Sequence, residues 1–396
     1  MKVYIVGIGA EGKKTLTNAA SEAIAAADVL IGASRMLKPF EDSGKTTYEE
    51  YRSDEISEYL AKNSFDTAAV LMSGDCGFFS GAGRLIRSLS EYDTEVICGI
   101  ASPVYFFSKL GKDWSDCHFV SLHGKEASIV RAVRSHRSTF FLLGGSITAA
   151  ELCRRLCSYD MGDVMVYIGE ELGYPDERIT SGRASELTDI SASELCVLLA
   201  ENPDYERHIP SCISDESFIR GSVPMTKVEV RTVAVAGLDI CNSDVCWDIG
   251  GGTGSVSVEM AVRCHDGRVC SVEKNEEAAA LIEANRRKFG CDNIEIYQGD
   301  AGELVGELPR PDCVFIGGSG GELRKIIRTA AEKNSNIRLT VTAVSLETLS
   351  ECIAVFNELD FEADIRQIAV TRTRRLGGHT MMSAENPVFI IKRKFR

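Results

Sequence analysis

The chain lacks the features of a membrane protein, a secreted protein or a nucleic-acid-binding protein. It contains no run of about 18 apolar residues, the length that a transmembrane helix needs, and its first apolar stretch is too short for a secretory signal. Lys and Arg number 44 against 58 Asp and Glu, which leaves a net charge of −14. Because nucleic-acid binding depends on a surplus of positive charge, we expect no nucleic-acid partner. Because a long apolar run is missing, we also expect no membrane partner.

Cysteine patterns typical of metal sites are also missing. The 14 cysteines lie between Cys76 and Cys352, without a CxxC pair and without a Cys/His cluster at zinc spacing. A chain of 396 residues is long enough to build a core without disulfide bonds. We therefore expect reduced, mostly buried cysteines, a cytoplasmic location and no protein metal site.

Length and patterning predict two α/β domains. At about 100–200 residues per domain, the chain is too long for a single small domain. Strand-like apolar runs alternate with helical segments along both halves, whereas residues 201–224 form a polar stretch interrupted by three prolines. We therefore predict one domain over residues 1–203 and a second over residues 204–396.

The second half has the pattern of a doubly wound sheet. Five strand–helix units come first, beginning with the strand-like run 245–249. Two further strand-like runs follow, 361–373 and 387–395, joined by a loop rich in Gly and Arg. Five parallel strands closed by an antiparallel pair would form a mixed, seven-stranded, Rossmann-like sheet.

A glycine-rich loop follows the first strand of this half. Residues 247–254 read WDIGGGTG, so an apolar strand carries an acid near its end and alternating glycines lead into a helix. Glycines let the backbone approach a ligand closely, and the amides of the helix N-terminus face that ligand. The next strand ends at Glu273, at the spacing suited to ribose hydroxyls, and the following one leads to Asp300 and Ala301. These strand ends share one edge of an open sheet, which predicts a crevice for an adenosine-like ligand.

The loop pattern D-x-G-x-G-x-G distinguishes two such ligands. NAD carries a pyrophosphate and is typically bound by a G-x-G-x-x-G loop. S-adenosyl-L-methionine has no pyrophosphate, so its loop needs to seat only the amino-acid end. The pattern favours S-adenosyl-L-methionine, with NAD or a purely structural turn as the alternatives.

The first half carries a literal G-x-G-x-x-G, GIGAEG, at residues 7–12 directly after a strand-like run. A dinucleotide site should show an acid at the end of the second strand. Asp28 precedes that strand, and no acid follows at Gly32. NAD binding therefore lacks its ribose partner here, and a plain structural turn is an equal alternative.

Later segments give the first half a family resemblance. They read LMSGDCGFFS (71–80), GIASPVYFFSKLG (99–111), FLLGGSITAAEL (141–152) and IGEELGYPDERI (168–179). Together with the GIGA start they resemble, in order, the tetrapyrrole (corrin and sirohaem) methyltransferases, most closely the branch in the cobalamin pathway. Many members of this family carry Gly-Asp-Pro where this chain has Gly74, Asp75 and Cys76, which predicts a less rigid turn.

The second half resembles a companion domain of the same pathway. Residues 218–231 (FIRGSVPMTKVEVR), the glycine loop and residues 315–323 (FIGGSGGEL) are similar to the decarboxylating precorrin-6 methyltransferase domain. The order of the halves is that of the fused, decarboxylating C5,15-methyltransferases of cobalamin biosynthesis. The resemblance implies that the first domain methylates C-5 of precorrin-6B or a cobalt-precorrin. The second would methylate C-15 and remove carbon dioxide from the ring C (C-12) acetate, and both would use S-adenosyl-L-methionine.

The resemblance also implies which residues contact the cofactor. In the second domain they are Thr226, Gly250, Gly251, Gly252, Thr253, Gly254, Glu273 and Ala301, beside Asp300 at the same edge. In the first domain the counterparts are Gly7, Gly9, Ala10, Asp75 and Ser102. We expect no catalytic nucleophile, because a reduced tetrapyrrole is an enamine-like carbon nucleophile and a sulfonium is a good methyl donor.

A polycarboxylate substrate requires local positive charge on an acidic protein. Arginine forks bind carboxylates through two hydrogen bonds. Candidates lie in the loop TRTRRLGGHT, which is also typical of a solvated hairpin tip: Arg372, Arg374, Arg375 and His379. A run of exposed backbone is expected to approach the substrate closely: Gly317, Gly318, Ser319 and Gly320. The competing functions are an NAD-linked oxidoreductase and a non-catalytic tetrapyrrole carrier, and the resemblance favours a homo-oligomer.

Overall fold

The computed structural model describes residues 1–10, 12–123, 128–145, 147–206 and 212–394. The chain forms two compact units. The first comprises residues 1–124, 137–154 and 162–202, and the second comprises residues 125–136, 155–161 and 203–396. Pro210, one of the prolines behind the predicted domain boundary, lies outside the described residues. Within the described part of the chain, no helix is both long and apolar enough to cross a membrane.

Strands and helices alternate along the first half of the chain. The strands are β1 (Lys2–Gly7), β2 (Val29–Gly32), β3 (Thr46–Glu49), β4 (Thr67–Met72), β5 (Asp93–Ile97), β6 (His118–Ser121), β7 (Ser138–Leu142), β8 (Met165–Glu170), β9 (Arg178–Arg183) and β10 (Cys196–Glu201). The helices are α1 (Asn18–Ala26), α2 (Ser34–Leu37), α3 (Ser53–Lys62), α4 (Ala82–Ser88), α5 (Ser102–Leu110), α6 (Ile129–Ser135) and α7 (Ala149–Ser158). A parallel sheet has the order β3-β2-β4-β1-β5, and a mixed sheet has the order β6-β7-β10-β8-β9.

The parallel sheet is buried on both faces because its central strands are apolar at nearly every position. In β1, Val3 and Ile5 pack in one cluster of buried side chains and Val6 packs in another. Helix α1 contributes to the second cluster, and the Thr17 hydroxyl caps its first turn by accepting from the Ala20 amide at 3.1 Å. With both faces covered, the strand ends and their loops are the part of this sheet left for ligands.

The second half forms a seven-stranded sheet and a separate hairpin. Its strands are β11 (Val245–Ile249), β12 (Arg268–Glu273), β13 (Ile294–Gln298), β14 (Cys313–Ile316), β15 (Arg338–Ala343), β16 (Ala363–Ile368), β17 (Thr371–Leu376), β18 (His379–Ala384) and β19 (Val388–Arg393). Its helices are α8 (Val228–Ala236), α9 (Ser255–Arg263), α10 (Glu276–Lys288), α11 (Ala301–Leu304), α12 (Leu323–Lys333) and α13 (Leu346–Glu358). The order β13-β12-β11-β14-β15-β19-β16, with β19 antiparallel to both neighbours, confirms the predicted doubly wound sheet.

The prediction for the closing segment was wrong in one respect. Residues 361–373 do not form a single strand, because β16 ends at Ile368, opposite Val388, the first residue of its partner β19. Residues 371–384 instead pair with each other as the hairpin of β17 and β18. The segment predicted as a Gly/Arg-rich loop is therefore mostly strand, with its turn at the Gly-Gly pair.

Candidate functional site

A cavity of about 1170 Å³ lies at the carboxyl edge of the seven-stranded sheet. Its volume exceeds the roughly 300–1,000 Å³ of a typical small-molecule pocket, which leaves room for a cofactor and part of a larger substrate. The residues predicted for ligand contact that line it are Thr226, Gly250, Gly251, Gly252, Thr253, Glu273, Asp300, Ala301, Gly317, Gly318, Ser319 and Gly320. The residues predicted in the second half of the chain that do not line it are Gly254, Arg372, Arg374, Arg375 and His379.

The glycine loop and the Gly317–Gly320 segment meet at Gly250. This residue has a φ of +76°, and a Cβ atom there would lie 2.6 Å from the Gly318 carbonyl oxygen and 2.7 Å from the Gly318 nitrogen. The Gly250 and Gly251 amides both donate to the Val272 carbonyl, at 2.9 and 3.1 Å. Only glycine suits this position, because the loop contacts β12 and the end of β14 at once.

The end of the glycine loop contains a buried hydroxyl and a packing glycine. Thr253 is 1% exposed, and its hydroxyl has no hydrogen-bond partner among the described residues. Leaving a buried hydroxyl unpaired is costly, so this one is suited to a polar ligand atom. Gly254 instead starts α9 with a φ of +77°, and a Cβ atom there would lie 3.0 Å from the Ile282 Cα atom. The predicted cofactor contact of Gly254 stays a prediction.

Glu273 lies at the end of β12, where ribose recognition was predicted. Its Oε2 atom accepts from the Gly252 amide and its Oε1 atom accepts from the Asn275 amide, both at 2.8 Å. An ionised carboxylate has about four acceptor positions, so this one is held in place and can still accept ribose hydroxyls. Together with the unpaired Thr253 hydroxyl and the loop without side chains, these groups fit S-adenosyl-L-methionine.

Asp300 and Ala301 lie where β13 leads into α11. The Asp300 Oδ1 atom accepts from the Gly302 amide at 2.9 Å, which caps the short helix. Its Oδ2 atom pairs with Lys274 Nζ at 3.3 Å. The carboxylate is therefore positioned by local contacts at the rim of the cavity before any ligand binds.

Asp248, the acid of the glycine-loop pattern, is buried. It is 1% exposed, its Oδ2 atom accepts from the Ser257 hydroxyl, and Ser257 Oγ lies 2.8 Å from Ser271 Oγ. Its Oδ1 atom has no hydrogen-bond partner among the described residues. Burial raises the pKa of this carboxyl to about 7, and the charge of Glu273 adds to the rise. The sequence pattern identified the residue but could not indicate its burial.

Replacing Asp248 with asparagine is expected to change how stability depends on pH. Since its folded pKa of about 7 exceeds the ordinary 3.8, the folded wild-type protein retains a proton that the unfolded chain loses between these values. The free energy of unfolding of the wild type should fall as the pH rises through this window, by at most about 1.4 kcal/mol per pH unit. Above pH 7 this carboxyl should cause no further loss. Urea unfolding should therefore show that the free energy of unfolding of the variant increases relative to that of the wild type between pH 5 and 7. A difference between the two proteins that does not vary with pH would refute this expectation.

Arg372 is engaged with carboxylates of the protein itself. Its Nη2 atom lies 2.6 Å from Glu229 Oε2 and 3.4 Å from Asp215 Oδ2, and its Nε atom lies 3.2 Å from Glu385 Oε1. The other predicted substrate ligands of this segment are exposed on the hairpin: Arg374, Arg375 and His379. A contact of Arg372 with the substrate would therefore have to compete with three ion pairs, whereas the three exposed side chains form no ion pair with the residues that the structure describes.

Of the segment before α8, which forms a wall of the cavity, only Thr226 was predicted. The Glu277 carboxylate holds this segment by accepting from the Ser222 amide at 3.1 Å and from the Ser222 hydroxyl at 3.0 Å. The residues of this wall not predicted for the site are Ser222, Val223, Pro224, Met225 and Lys227. The polar, proline-containing composition that suggested a linker concealed this role.

In the first unit, glycines allow the ends of β1 and β5 and the turn after β4 to come close. A Cβ atom on Gly7 would lie 2.7 Å from the Gly74 carbonyl oxygen and 2.7 Å from the Gly99 nitrogen. One on Gly99 would lie 2.1 Å from the Gly74 oxygen. Gly9 has a φ of +72° and exchanges backbone hydrogen bonds with Gly74 at 3.0 and 3.3 Å. Contacts within the protein therefore require these glycines, independently of any ligand.

Asp75 and Cys76 anchor the turn after β4. The Asp75 Oδ2 atom accepts from the Gly99 amide at 3.0 Å, and its Oδ1 atom accepts from the Gly77 amide at 2.7 Å. Cys76 is buried, and its thiol lies 3.5 Å from carbonyl oxygens of β1 and β5. Burial raises the pKa of this thiol to about 11, so it stays a neutral, weak hydrogen-bond donor. These contacts tie down the turn, which the Cys76 position had led us to expect to be less rigid.

The remaining predicted residues of the first unit lie nearby. Ser102 begins α5, with its nitrogen 3.8 Å from where a Gly74 Cβ atom would lie, and Ala10 packs partly buried against an aromatic cluster. A cavity of about 150 Å³ lies at the ends of β2 and β4, and none of the five predicted residues lines it. Their contacts with a cofactor stay predictions.

The cysteines are mostly buried, as predicted, since nine of the 14 are buried. Asp244, Cys246 and Cys313 have their ligand atoms within 4.8 Å of one another. However, Asp244 pairs with Arg338 at 2.7 Å. Hydrogen bonding to Cys264 and Cys313, together with burial, raises the pKa of the Cys246 thiol. Because metal binding requires thiolates, we assign no metal to this cluster.

Two known families match consecutive parts of the chain. The family described as tetrapyrrole (corrin/porphyrin) methylases matches residues 2–188. The family described as precorrin methyltransferase domain matches residues 217–393. The first match lies within residues 1–203 and the second within residues 204–396.

Relatives match the whole chain or its second half. A precorrin-6Y C(5,15)-methyltransferase (decarboxylating) of Sinorhizobium sp. is 26% identical over 391 residues, which cover 97% of this chain and 94% of that protein. A probable cobalt-precorrin-6B C(15)-methyltransferase (decarboxylating) of Pyrobaculum calidifontis is 43% identical over 182 residues, which cover 45% of this chain and 93% of that protein. A crystal structure of a precorrin-6Y C5,15-methyltransferase from Geobacter metallireducens GS-15 is 34% identical, covers 46% of this chain and 94% of that chain, and has a TM-score of 0.43.

The matches agree with the order of the two halves that the resemblance implied. Both family matches fall on the halves whose motifs carried the resemblance. The relative from Pyrobaculum calidifontis exceeds 30% identity over nearly its whole length, and the relative from Sinorhizobium sp. spans both halves. The chain therefore belongs to the decarboxylating precorrin-6Y C5,15-methyltransferases, in which a tetrapyrrole methylase domain is followed by a precorrin methyltransferase domain.

Proposed function

We propose that this chain methylates C-5 and C-15 of precorrin-6B or its cobalt form and removes the carboxyl group of the ring C acetate, as a step of cobalamin biosynthesis. The observation that carries the proposal is the cavity of the second unit, where the glycine loop and Glu273 lie beside the Gly317–Gly320 segment. Similarity over 97% of the chain to a relative named for both methylations supports assigning both to one polypeptide.

Methyl transfer requires positioning more than acid–base catalysis. Bound S-adenosyl-L-methionine supplies an electrophilic methyl group. Glu273 and the glycine loop would hold the cofactor, and a Cβ atom on Gly318 or Gly320 would meet no atom within 4 Å, which leaves space beside the loop for the substrate. Aligning two reactants contributes roughly 7–11 kcal/mol, whereas a general base typically adds about 10²–10⁴-fold.

Decarboxylation makes a second demand on the same cavity. When the ring C acetate loses carbon dioxide, the electron pair of the broken bond passes into the macrocycle, and uptake of one proton then leaves a methyl group in place of the acetate, so no nucleophile is needed from the protein. The protein has to hold the substrate and limit access of water. Apolar side chains in the cavity lining are suited to both roles: Met225, Val230, Phe315, Ile368 and Val370.

Mass spectrometry of the product tests the proposal. The full chain is incubated with precorrin-6B and S-adenosyl-L-methionine that carries a deuterated methyl group. We expect two labelled methyl groups added and one carboxyl group lost. A product with a single labelled methyl would refute the assignment of both methylations, and bound pigment without any transfer would favour a tetrapyrrole carrier.

An NAD-linked oxidoreductase, the main alternative from the sequence, finds little support at the first glycine loop. Strand β2 ends at Gly32 and is followed by Ala33, so the end of this strand does not supply the acid that is typical of a ribose contact. The Asp28 carboxylate is used elsewhere, because it accepts from the Asp66 and Thr67 amides at 3.0 and 2.9 Å. Titration with NADH, run beside S-adenosyl-L-methionine, distinguishes the two ligands.

The exposed arginines of the hairpin are expected to contribute to substrate binding. Replacing Arg374 and Arg375 together by alanine should weaken binding of precorrin-6B about ten- to hundred-fold, since charge-assisted contacts to carboxylates are lost. Thermal stability should be unchanged, because both side chains are exposed. Arg372→Ala serves as the contrast: it should lower stability by leaving the buried Asp215 with one fewer ion pair. Unaltered substrate affinity in the double variant would rule out binding of the substrate by Arg374 and Arg375.

We further propose that the protein is a cytoplasmic homo-oligomer. Cysteines without disulfide bonds suit a reducing compartment. The β17–β18 hairpin exposes 60% of Leu376, 47% of Met381 and 78% of Met382, and exposed apolar clusters commonly mark association surfaces. Sedimentation equilibrium of the full chain tests the assembly, and a monomer at every concentration would refute it.

A further inference from the structure

The charged side chains that line the cavity of the second unit differ in whether they have a partner within the protein. Its acidic residues have partners within the protein: Glu273, Glu277, Asp300 and Glu385. Of its two lysines, Lys274 pairs with Asp300 at 3.3 Å. Lys227 is partly buried, and its ammonium group has no hydrogen bond or ion pair to any residue that the structure describes. The cavity therefore holds one cation that the described protein groups do not neutralise.

The backbone of Lys227 is fixed by a buried network. Its carbonyl accepts from the Arg231 amide at 2.8 Å, at the start of α8. The Arg231 guanidinium is fully buried, donates to the Thr226 carbonyl, and pairs with Asp215 and Glu259 at 3.1 Å each. Because this network does not depend on a ligand, the lysine is presented to the cavity from a preorganised position.

We propose that Lys227 binds a carboxylate of the tetrapyrrole that the reaction leaves in place, and so positions the macrocycle for the C-15 chemistry. The proposal rests on the proposed function, which makes the substrate a polycarboxylate. A partly buried ammonium group is best satisfied by an ionised carboxylate. On a protein with a net charge of −14, an unneutralised lysine in the cavity also offsets repulsion of an anionic ligand.

The charge of the lysine indicates which carboxylate it suits. A carboxylate that departs as carbon dioxide loses its negative charge on the way to the transition state. A cation beside it would stabilise the reactant more than the transition state and slow the step. A carboxylate that is retained keeps its charge throughout, so an ion pair with it changes KM and not kcat. Lys227 therefore suits a propionate or acetate that survives in the product.

Lys227→Met tests the proposal, because it keeps an unbranched side chain of similar length and removes the charge. Lys325→Met on α12 is the matched control, since Lys325 is exposed outside the cavity. We expect the KM for precorrin-6B to rise about ten- to hundred-fold in the Lys227 variant only. The kcat and the ratio of C-15 methylation to carbon dioxide release should stay unchanged, and Lys227→Arg should recover most of the loss. Calorimetry should give wild-type affinity for S-adenosyl-L-methionine, which verifies an intact cavity.

Two results would overturn the proposal. A change in KM below two-fold would show that Lys227 does not contact the substrate, and a higher kcat for decarboxylation in Lys227→Met would place it at the departing carboxylate. Fluorescence titration with uroporphyrin III, an octacarboxylate, supplies a readout that does not depend on turnover. There too, Lys227→Met should bind more weakly than Lys325→Met. If the wild-type chain binds uroporphyrin III through Lys227 but does not convert precorrin-6B, the proposed function fails while the carboxylate site stands.

Discussion

Replacing Gly250 with alanine should remove S-adenosyl-L-methionine binding from the second unit and destabilise its fold. The new Cβ atom would lie 2.6 Å from the Gly318 carbonyl oxygen, a backbone atom that cannot rotate away. The left-handed conformation of residue 250 adds about 1–2 kcal/mol for an alanine, and overpacking adds about 1–3 kcal/mol. Relief requires the glycine loop to separate from the Gly317–Gly320 segment. We therefore expect cofactor affinity to fall at least about 100-fold, measured by calorimetry alongside urea unfolding.

Gly306→Ala is the control for this variant. A Cβ atom at Gly306 would meet no atom within 4 Å, and the residue does not line the cavity. Its affinity and stability should be those of the wild type. If Gly250→Ala bound the cofactor as tightly as this control, the glycine loop would not be the binding site of the cofactor.

Replacing Glu273 with alanine should separate the two methylations. The change removes the acceptor for the Gly252 and Asn275 amides together with the ribose contact, and hydrogen bonds to a charged group contribute about 1.5–3 kcal/mol each. We expect cofactor binding at the second unit to weaken about a thousand-fold. Mass spectrometry should then detect a product with one added methyl group, at C-5, and all of its carboxyl groups.

Glu276→Ala supplies the control, because Glu276 is exposed in the first turn of α10, three residues further along the chain, and does not line the cavity. It should give the product with two added methyl groups and one carboxyl lost. Continued methylation at C-15 by the Glu273 variant would mean that this carboxylate does not hold the ribose.

The site in the second unit could largely be predicted because its signals are local. Alternating glycines after an apolar strand predict a loop that needs left-handed backbone, and Gly250 and Gly252 have φ angles of +76° and +56°. Parallel strands place their carboxyl ends at one edge, so Glu273 and Asp300 could be expected to line the same cavity. Neither inference needed knowledge of a distant contact.

The role of Arg372 could not be predicted, because it depends on partners far along the chain. Its ion pairs join it to Asp215, 157 residues away, and to Glu229, 143 residues away. The sequence shows only a cluster of basic residues near two glycines, which suggests free positive charge. The break between β16 and β17 has a similar origin, since it is set by where β19 begins.

The first glycine loop illustrates a different limit of prediction from sequence. Its G-x-G-x-x-G pattern is shared with dinucleotide sites, yet Gly7 and Gly9 are required by their approach to Gly74 and Thr15. A pattern of glycines reports that something lies close to the backbone and does not tell whether it is a ligand or another strand. The family resemblance, carried by later segments, was needed to choose between these interpretations.

The nine buried cysteines of this chain can report its unfolding. Three belong to the first unit, Cys76, Cys153 and Cys196, and six belong to the second, Cys246, Cys264, Cys270, Cys291, Cys313 and Cys352. A maleimide reacts with the thiolate, so a thiol held away from solvent is labelled only after the segment around it opens. Counting modified peptides against time would follow each half separately, without an introduced probe.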